Sequence, residues 1–130
     1  MTAQDYKNKG FKISLHIDQA EIDAKEELAY NSYVLPILPN ADRESEEVKN
    51  AIMAVTFLLL AQAFVFATRA GAKQKNTAQS SKPDDFAILN ESASRAFASV
   101  EVLKNLDGAN KKPKVIDVAH IYFKTQFFYI

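Results

Sequence analysis

The sequence predicts a mainly α-helical fold: a three-helix bundle with a long central helix, plus β-strands near the N terminus and the C terminus. Three observations predict it. The stretch from Asn50 to Thr68 contains no charged residue, which is typical of a buried helix or a membrane span. Apolar residues recur three and four apart between Phe86 and Leu103, which indicates one face of a helix. Residues 11–17 alternate strictly between apolar and polar, which is typical of a strand with one buried face.

Length and composition restrict the classes of protein that fit. The chain has 130 residues, which suffice for one domain core. The charges of its 16 basic and 16 acidic residues cancel, whereas proteins that bind nucleic acid usually carry an excess of basic residues. It has no cysteine, which excludes disulfides, thiolate metal sites and cysteine nucleophiles.

The N-terminal third is expected to hold a flexible end, a strand and a helix. Residues 1–10 are polar and are predicted to be a flexible N terminus. In the strand that follows, Phe11, Ile13, Leu15 and Ile17 are expected to share the buried face. Asp18 then fits the N-cap of a helix, with Glu21 at the capping-box position. This helix should stop near Leu35, because the residue before Pro36 is pushed out of the helical region.

The central helix is expected to begin after Ser45, a plausible N-cap, and to run for about 26 residues. Apolar side chains cover nearly its whole circumference, so it must be surrounded either by protein or by lipid. We favour protein, because the other segments carry matching amphipathic faces. The alternative is a small single-span membrane protein that uses residues 50–68 as its span.

A polar loop is expected at residues 71–85, since its only apolar residues are alanines. It is either a solvated loop or one that becomes ordered against a partner. Its lysines, Lys73, Lys75 and Lys82, make it positively charged and could face DNA or a partner protein. Asp84 or Asp85 should cap the third helix, which Asp107 and Gly108 should end.

The C-terminal segment, residues 107–130, is predicted to be an extended arm beyond a helical domain at residues 11–106. From Ala119 onward it is rich in aromatic and β-branched residues, which favour a strand. Left exposed, such a strand would promote aggregation, so it should pair with the strand at residues 11–17 or with a neighbouring subunit. Five large aromatic residues are the candidate interface anchors: Tyr122, Phe123, Phe127, Phe128 and Tyr129.

No enzymatic constellation is visible, and we expect neither catalytic residues nor a cofactor. His16, His120 and Asp117 could in principle hold a metal, but histidines at alternate strand positions are more often solvated, and no metal site is predicted. The serines lie in no GxSxG context, and three glycines cannot form a phosphate-binding loop. A ligand pocket would have to be lined by Tyr30, Tyr33 and Gln62, which helix packing explains better.

The order of segments resembles the small helical head–tail connector, or adaptor, proteins of tailed bacteriophages. A capped first helix runs into a proline-containing stop, Tyr33-Val34-Leu35-Pro36-Ile37-Leu38. An acidic start at Glu44, Glu46 and Glu47 then leads into a long Ala-rich helix, a polar loop, a further amphipathic helix and an extended end. The two predicted strands depart from the simplest helical members and would fit an arm that reaches a neighbour or a portal subunit.

This resemblance implies a function as well as a fold. It implies a non-enzymatic virion structural protein whose subunits form a homo-oligomeric ring, typically of twelve copies, attached to the portal and in contact with tail proteins. Genomic DNA would pass through the ring without sequence-specific contacts, and no membrane would be involved. Such a ring closes when one surface of a subunit binds a different surface of the next.

Overall fold

The computed structural model describes residues 1–75 and 83–109, with side chains described for residues 1–64 and 87–109. Within these residues the protein is mainly helical, with 68% of it in helix and no β-strand. The elements are α1 (Ala3–Asn8), α2 (Gln19–Ala29), a short π-helix (Tyr30–Val34), α3 (Glu46–Lys75) and α4 (Pro83–Lys104). The architecture is therefore a helical bundle built around α3.

Helix α3 is the long central helix that the sequence predicts, and it extends further than expected. Ser45 caps it by accepting a hydrogen bond from the Val48 backbone N–H at 3.4 Å, and the Glu46 and Glu47 carboxylates favour the positive end of the helix dipole. Its 30 residues correspond to a length of about 45 Å. From Ala51 to Ala61 every side chain is buried except that of Phe57, which is half-buried, because α2 and α4 pack against the helix.

Helix α4 packs along α3 through the apolar face that the sequence predicts. Its buried residues recur at spacings of three and four: Leu89, Ala93, Ala96, Val100 and Leu103. The small residues in the middle of this face let the two helices approach closely, and residues 76–82 join them. The helix begins at Pro83, one residue before the expected caps, and ends at Lys104, before Asp107 and Gly108.

Helix α2 and the π-helix form one continuous helical run that ends before Pro36, as predicted. Asp18 caps the run by accepting a hydrogen bond from the Ala20 backbone N–H at 3.1 Å. The Leu35 N–H donates to the Tyr30 carbonyl at 2.9 Å, which is the five-residue spacing of a π-helix. The wider turn buries both Tyr33 and Val34. No sequence pattern predicts this local widening.

The predicted strand at Phe11–Ile17 is wrong. Phe11 and Ile13 are buried as expected, but Leu15 is 48% exposed, so the alternating pattern does not form one buried face. The chain turns instead, because the Ser14 carbonyl and hydroxyl accept hydrogen bonds from the N–H groups of Ile17 and His16. Packing on the helices replaces strand pairing here: the Phe11 ring lies 5.3 Å from that of Phe57 in α3.

Two further predictions of segment type differ from the structure. Residues 1–10, expected to be a flexible end, contain α1, which Thr2 and Asp5 cap reciprocally and whose Tyr6 is fully buried. The polar loop expected at residues 71–85 is helical at both ends, because α3 continues to Lys75 and α4 begins at Pro83. The predicted C-terminal strand lies outside the described residues, and its proposed pairing with a strand at residues 11–17 is wrong because that strand is absent.

Candidate functional site

An apolar groove lies where α3 and the start of α4 meet the loop after α1, and it has a volume of about 310 Å³. Helix α3 contributes four lining residues at helical spacing, and Ile88 is the contribution of α4. The loop contributes two isoleucines, with a lysine and a serine alongside them. The lining residues are Lys12, Ile13, Ser14, Ile17, Phe57, Leu60, Ala61, Phe64 and Ile88.

The groove exists because α3 is apolar on more sides than its neighbours cover. Leu60 and Ala61 are buried, whereas Phe64 is 61% exposed to solvent. The loop reaches this end of α3 because Phe11 is held in place: the Arg95 guanidinium of α4 lies 3.5 Å from its ring centroid and donates a hydrogen bond to the Lys9 carbonyl at 2.6 Å. The turn at Ser14 then places Ile17 half-buried at the edge of the groove.

The chemistry of the groove favours binding of apolar side chains. Its lining contains one charged side chain, that of Lys12, and no carboxylate or histidine. A volume near the lower end of ligand clefts, about 300 Å³, fits a few side chains of a partner segment.

A second cleft, of about 330 Å³, is polar and lies between α2 and the start of α3. Four of its charged side chains form two ion pairs. The Arg43 guanidinium lies 2.7 Å from Glu27 Oε1, and Lys49 Nζ lies 3.5 Å from Glu44 Oε2. Exposed pairs of this kind contribute little to stability.

A largely buried polar cluster connects α1, α2 and α3 and borders this second cleft, which Met1 and Glu26 help to line. The Tyr6 hydroxyl donates a hydrogen bond to Glu26 Oε2 at 3.1 Å, and the Met1 amino nitrogen lies 2.9 Å from Glu26 Oε1. Burial raises the pKa of Tyr6 far above its ordinary value; the nearby Thr56 hydroxyl opposes the rise, and the Glu26 charge adds to it. These contacts satisfy a carboxylate that is nearly inaccessible to solvent, so the cluster is best explained as a structural link between helices.

The residues that the sequence singles out as candidates fall largely outside this geometry. The five aromatic anchors, Tyr122, Phe123, Phe127, Phe128 and Tyr129, lie outside the described residues, as does Lys82. Lys73 and Lys75 belong to the last turn of α3, where the structure describes the backbone alone. The structure therefore neither brings these candidates together nor separates them.

The alternative sites weighed in the sequence analysis gain no support. The Tyr30 hydroxyl donates to the Ala41 carbonyl at 3.1 Å and its ring lies under the Arg43 guanidinium, while Tyr33 is buried. Neither tyrosine lines either cleft, and nor does Gln62. His16 is exposed, whereas His120 and Asp117 lie outside the described residues. Within residues 1–75 and 83–109, no group of three or more histidines, aspartates or glutamates is placed to hold a metal ion.

The groove itself was missed by sequence reasoning. The apolar character of Phe57, Leu60 and Phe64 was visible, but the all-round apolar pattern of α3 does not say which side its neighbours leave open. Comparison with known proteins adds nothing to the geometry: no protein-family model, no curated protein and no solved structure is similar to this chain.

Proposed function

We propose that this protein is a non-enzymatic assembly subunit that forms a homo-oligomeric ring. The apolar groove carries the proposal, because it combines buried apolar side chains, Leu60 and Ala61, with an aromatic side chain, Phe64, that is 61% exposed. Exposed apolar patches on folded domains commonly mark surfaces that another protein covers. A groove suited to apolar side chains and poor in titratable groups supports a binding role over a catalytic one.

The more specific proposal is a head–tail connector subunit of a tailed-bacteriophage virion. It rests on the resemblance in the order of segments: a capped helix, a proline stop, a long Ala-rich helix and a further amphipathic helix. In this role the ring would attach to the portal, contact tail proteins and surround the DNA channel. The candidate interface anchors are Tyr122, Phe123, Phe127, Phe128 and Tyr129, and the candidate DNA-facing or partner-facing lysines are Lys73, Lys75 and Lys82.

The mass of the purified protein in solution tests the assembly part of this proposal. Light scattering across a concentration series should give a multiple of the 14.5 kDa subunit mass, and for a ring of twelve copies that multiple is twelve. Negative-stain electron microscopy should show rings with a central channel. A protein that stays at the mass of one subunit over the whole series and shows no rings would contradict self-assembly.

Virion localisation needs a separate test. Mass spectrometry of purified particles of the phage that encodes this chain should detect it as a stoichiometric component together with portal and tail proteins. Its absence from mature particles would contradict the connector assignment. The mass measurement would still decide whether the protein forms a ring.

One observation favours a second candidate, the single-span membrane protein. The segment Glu46–Phe64 is the one helical stretch among the described residues that is long and apolar enough to cross a membrane. However, 61% of that stretch is buried inside the protein itself, as in the core helix of a bundle. Membrane fractionation with a carbonate wash separates the two candidates: a membrane protein stays in the pellet, whereas the ring subunit is released.

A further inference from the structure

We propose that Asp107 is a site of spontaneous isoaspartate formation, a modification that reroutes the main chain through the side chain of this residue. The inference goes beyond the proposed function and does not depend on it. It rests on three observations: the identity of the residue that follows Asp107, the exposure of both residues in a turn, and the absence of hydrogen bonds from the groups that would react.

The sequence separates Asp107 from the other aspartates. It is the one aspartate of the chain that a glycine follows, and no asparagine precedes a glycine. Isoaspartate forms when the backbone nitrogen of the following residue reaches the aspartate Cγ, and a Cβ on that following residue hinders the approach. Gly108 has no Cβ, so its nitrogen is accessible.

The structure places Asp107 and Gly108 at the tip of a turn just beyond α4. The Ala109 N–H donates to the Leu106 carbonyl at 3.2 Å, and Gly108 has a φ of +80°, as at the third position of a type II turn. Leu106 and Ala109 pack against the core on either side, whereas the two residues between them are exposed.

This turn can open without displacing a neighbour. The hydrogen bond between Ala109 and Leu106 is the one that closes it within the described part of the chain. Apart from the adjacent residues, no heavy atom lies within 4 Å of the position that a Cβ of Gly108 would take. Local opening of such an exposed turn costs far less free energy than unfolding of the bundle.

The two reacting groups have no competing partners among residues 1–75 and 83–109. The Gly108 N–H donates no hydrogen bond there, and the Asp107 carboxylate forms neither a hydrogen bond nor an ion pair. The Asp42 carboxylate, by contrast, accepts a hydrogen bond from the Glu44 N–H at 2.9 Å. Groups held close together in one chain react far faster than the same groups on separate molecules. Ring closure at Asp107 therefore needs only a rotation of the local backbone and side chain.

The reaction needs no reagent other than water. The Gly108 nitrogen attacks Cγ of the protonated Asp107 side chain. The N–Cγ bond forms, the nitrogen loses its proton, and the Cγ–OH bond breaks, so that one water molecule leaves and a five-membered succinimide ring remains. Water then opens the ring. Cleavage of the N–Cγ bond restores aspartate, whereas cleavage of the bond between the nitrogen and the main-chain carbonyl carbon gives isoaspartate.

The product changes the main chain at the point where it leaves the bundle. Isoaspartate adds one methylene group to the backbone between α4 and Ala109 and converts the former main-chain carbonyl into a free carboxylate. We therefore expect the modification to alter the direction in which the chain continues beyond α4.

Ageing of the folded, full-length protein tests the inference. The protein is held at physiological temperature and mildly acidic pH, sampled over several weeks and digested with trypsin. Residues 105–111 form one tryptic peptide, in which Asp107 is the only acidic residue. We expect a second chromatographic form of this peptide, of unchanged mass, that increases with time and that isoaspartate methyltransferase methylates. Electron-transfer fragmentation should place the isoaspartate at residue 107, and a sample digested at the start corrects for isomerisation during digestion.

Two variants and one natural site serve as controls. Asp107→Glu would have to close a six-membered ring, which forms far more slowly, and should lose the signal. Gly108→Ala adds a Cβ next to the attacking nitrogen and should lose most of it. Asp42 is also exposed but is followed by an arginine, and it should stay unmodified.

A synthetic peptide of residues 105–111 provides the rate in the absence of the turn. Isoaspartate in the folded protein at a rate comparable to that of the peptide would support the inference. If the peptide isomerises while Asp107 in the folded protein gains no more isoaspartate than Asp42 does, the turn protects the site and the inference is overturned. A signal that persists in the Asp107→Glu protein would overturn it as well, because the isoaspartate would then lie elsewhere.

Discussion

At the scale of single residues, the interior of the bundle contains a few polar side chains that differ in how well they are hydrogen-bonded. Glu26 is held by the Tyr6 hydroxyl and the Met1 amino group, so its carboxylate has two donors in a site with little solvent. Thr56 in α3 is fully buried, and within the described part of the protein its hydroxyl makes no hydrogen bond of good geometry, although it lies near the Tyr6 hydroxyl. A satisfied buried group stabilises the fold, whereas an unsatisfied one lowers stability, and each case can be measured.

The substitution Tyr6→Phe should lower the free energy of unfolding by about 1–2 kcal/mol near neutral pH, because Glu26 loses a donor. Because the pKa of Tyr6 is raised in the folded protein, the stabilisation that its hydroxyl provides is fully present below about pH 10, the ordinary pKa of tyrosine. Above that pH the unfolded chain releases the proton more readily than the folded one, so the wild-type stability should fall as pH rises. The Tyr6→Phe variant lacks this contribution to the fall. The difference in free energy of unfolding between the two proteins should therefore narrow above pH 10.

Urea unfolding followed by circular dichroism at pH 7, 10 and 11 measures this difference. Tyr30→Phe is the matched control, because its hydroxyl donates to the Ala41 carbonyl outside the Glu26 cluster and Tyr6 stays intact. A Tyr6→Phe protein whose stability declines above pH 10 as steeply as that of the wild type would contradict the assigned role of Tyr6.

The substitution Thr56→Val should leave the free energy of unfolding unchanged or raise it by up to about 1 kcal/mol, because valine keeps the shape and removes an unsatisfied hydroxyl. Thr56→Ser is the control: it keeps the hydroxyl and removes a buried methyl group, so it should destabilise by about 1 kcal/mol. Urea unfolding at neutral pH compares the three proteins. If valine destabilises more than serine does, the Thr56 hydroxyl bonds the nearby Tyr6 hydroxyl after all and this prediction is wrong.

At the scale of elements, local chemistry decides where the helices begin. The Ser45→Ala substitution should remove the hydroxyl that accepts from the Val48 N–H and lower stability by about 1 kcal/mol. Ser94→Ala, at an exposed position inside α4, is the matched control and should be neutral or slightly stabilising, since alanine is the better helix former. Thermal and urea unfolding measure both changes. Equal effects of the two substitutions would show that Ser45 is not an effective cap.

The helices were predictable from sequence because their signals are local. The caps at Asp18 and Ser45, the proline stop after Leu35 and the repeating apolar face of α4 each depend on residues a few positions apart. The strand prediction at Phe11–Ile17 failed because a strand needs a partner, and alternation alone cannot supply one. Arg95, which is distant from Phe11 along the chain, covers the ring of that phenylalanine instead. The π-helix and the groove likewise depend on tertiary packing, which no local pattern encodes.

At the scale of the whole molecule, the described part of the chain buries most of its large apolar side chains but leaves the apolar groove beside α3 open. Helix α3 was expected to need cover on all sides, and from Ala51 to Ala61 its neighbours bury every side chain except that of Phe57, which is half-buried. Beyond that point the Phe64 side chain is largely exposed. A second apolar surface, the aromatic segment at residues 119–130, is present in the same sequence. Each surface can cover the other only if copies associate or the chain folds back on itself.

Deleting residues 119–130 should therefore abolish assembly while leaving the helix content nearly intact. The four α-helices of the described residues lie between Ala3 and Lys104, so the far-ultraviolet circular dichroism spectrum should change little. Light scattering should show the subunit mass in place of the oligomer, because the candidate interface anchors are gone. A full-length variant with Lys73, Lys75 and Lys82 changed to glutamate serves as the control, since these lysines are proposed to face DNA or a partner protein and not a sister subunit. A truncated chain that still forms the wild-type oligomer would show that the segment does not hold the copies together.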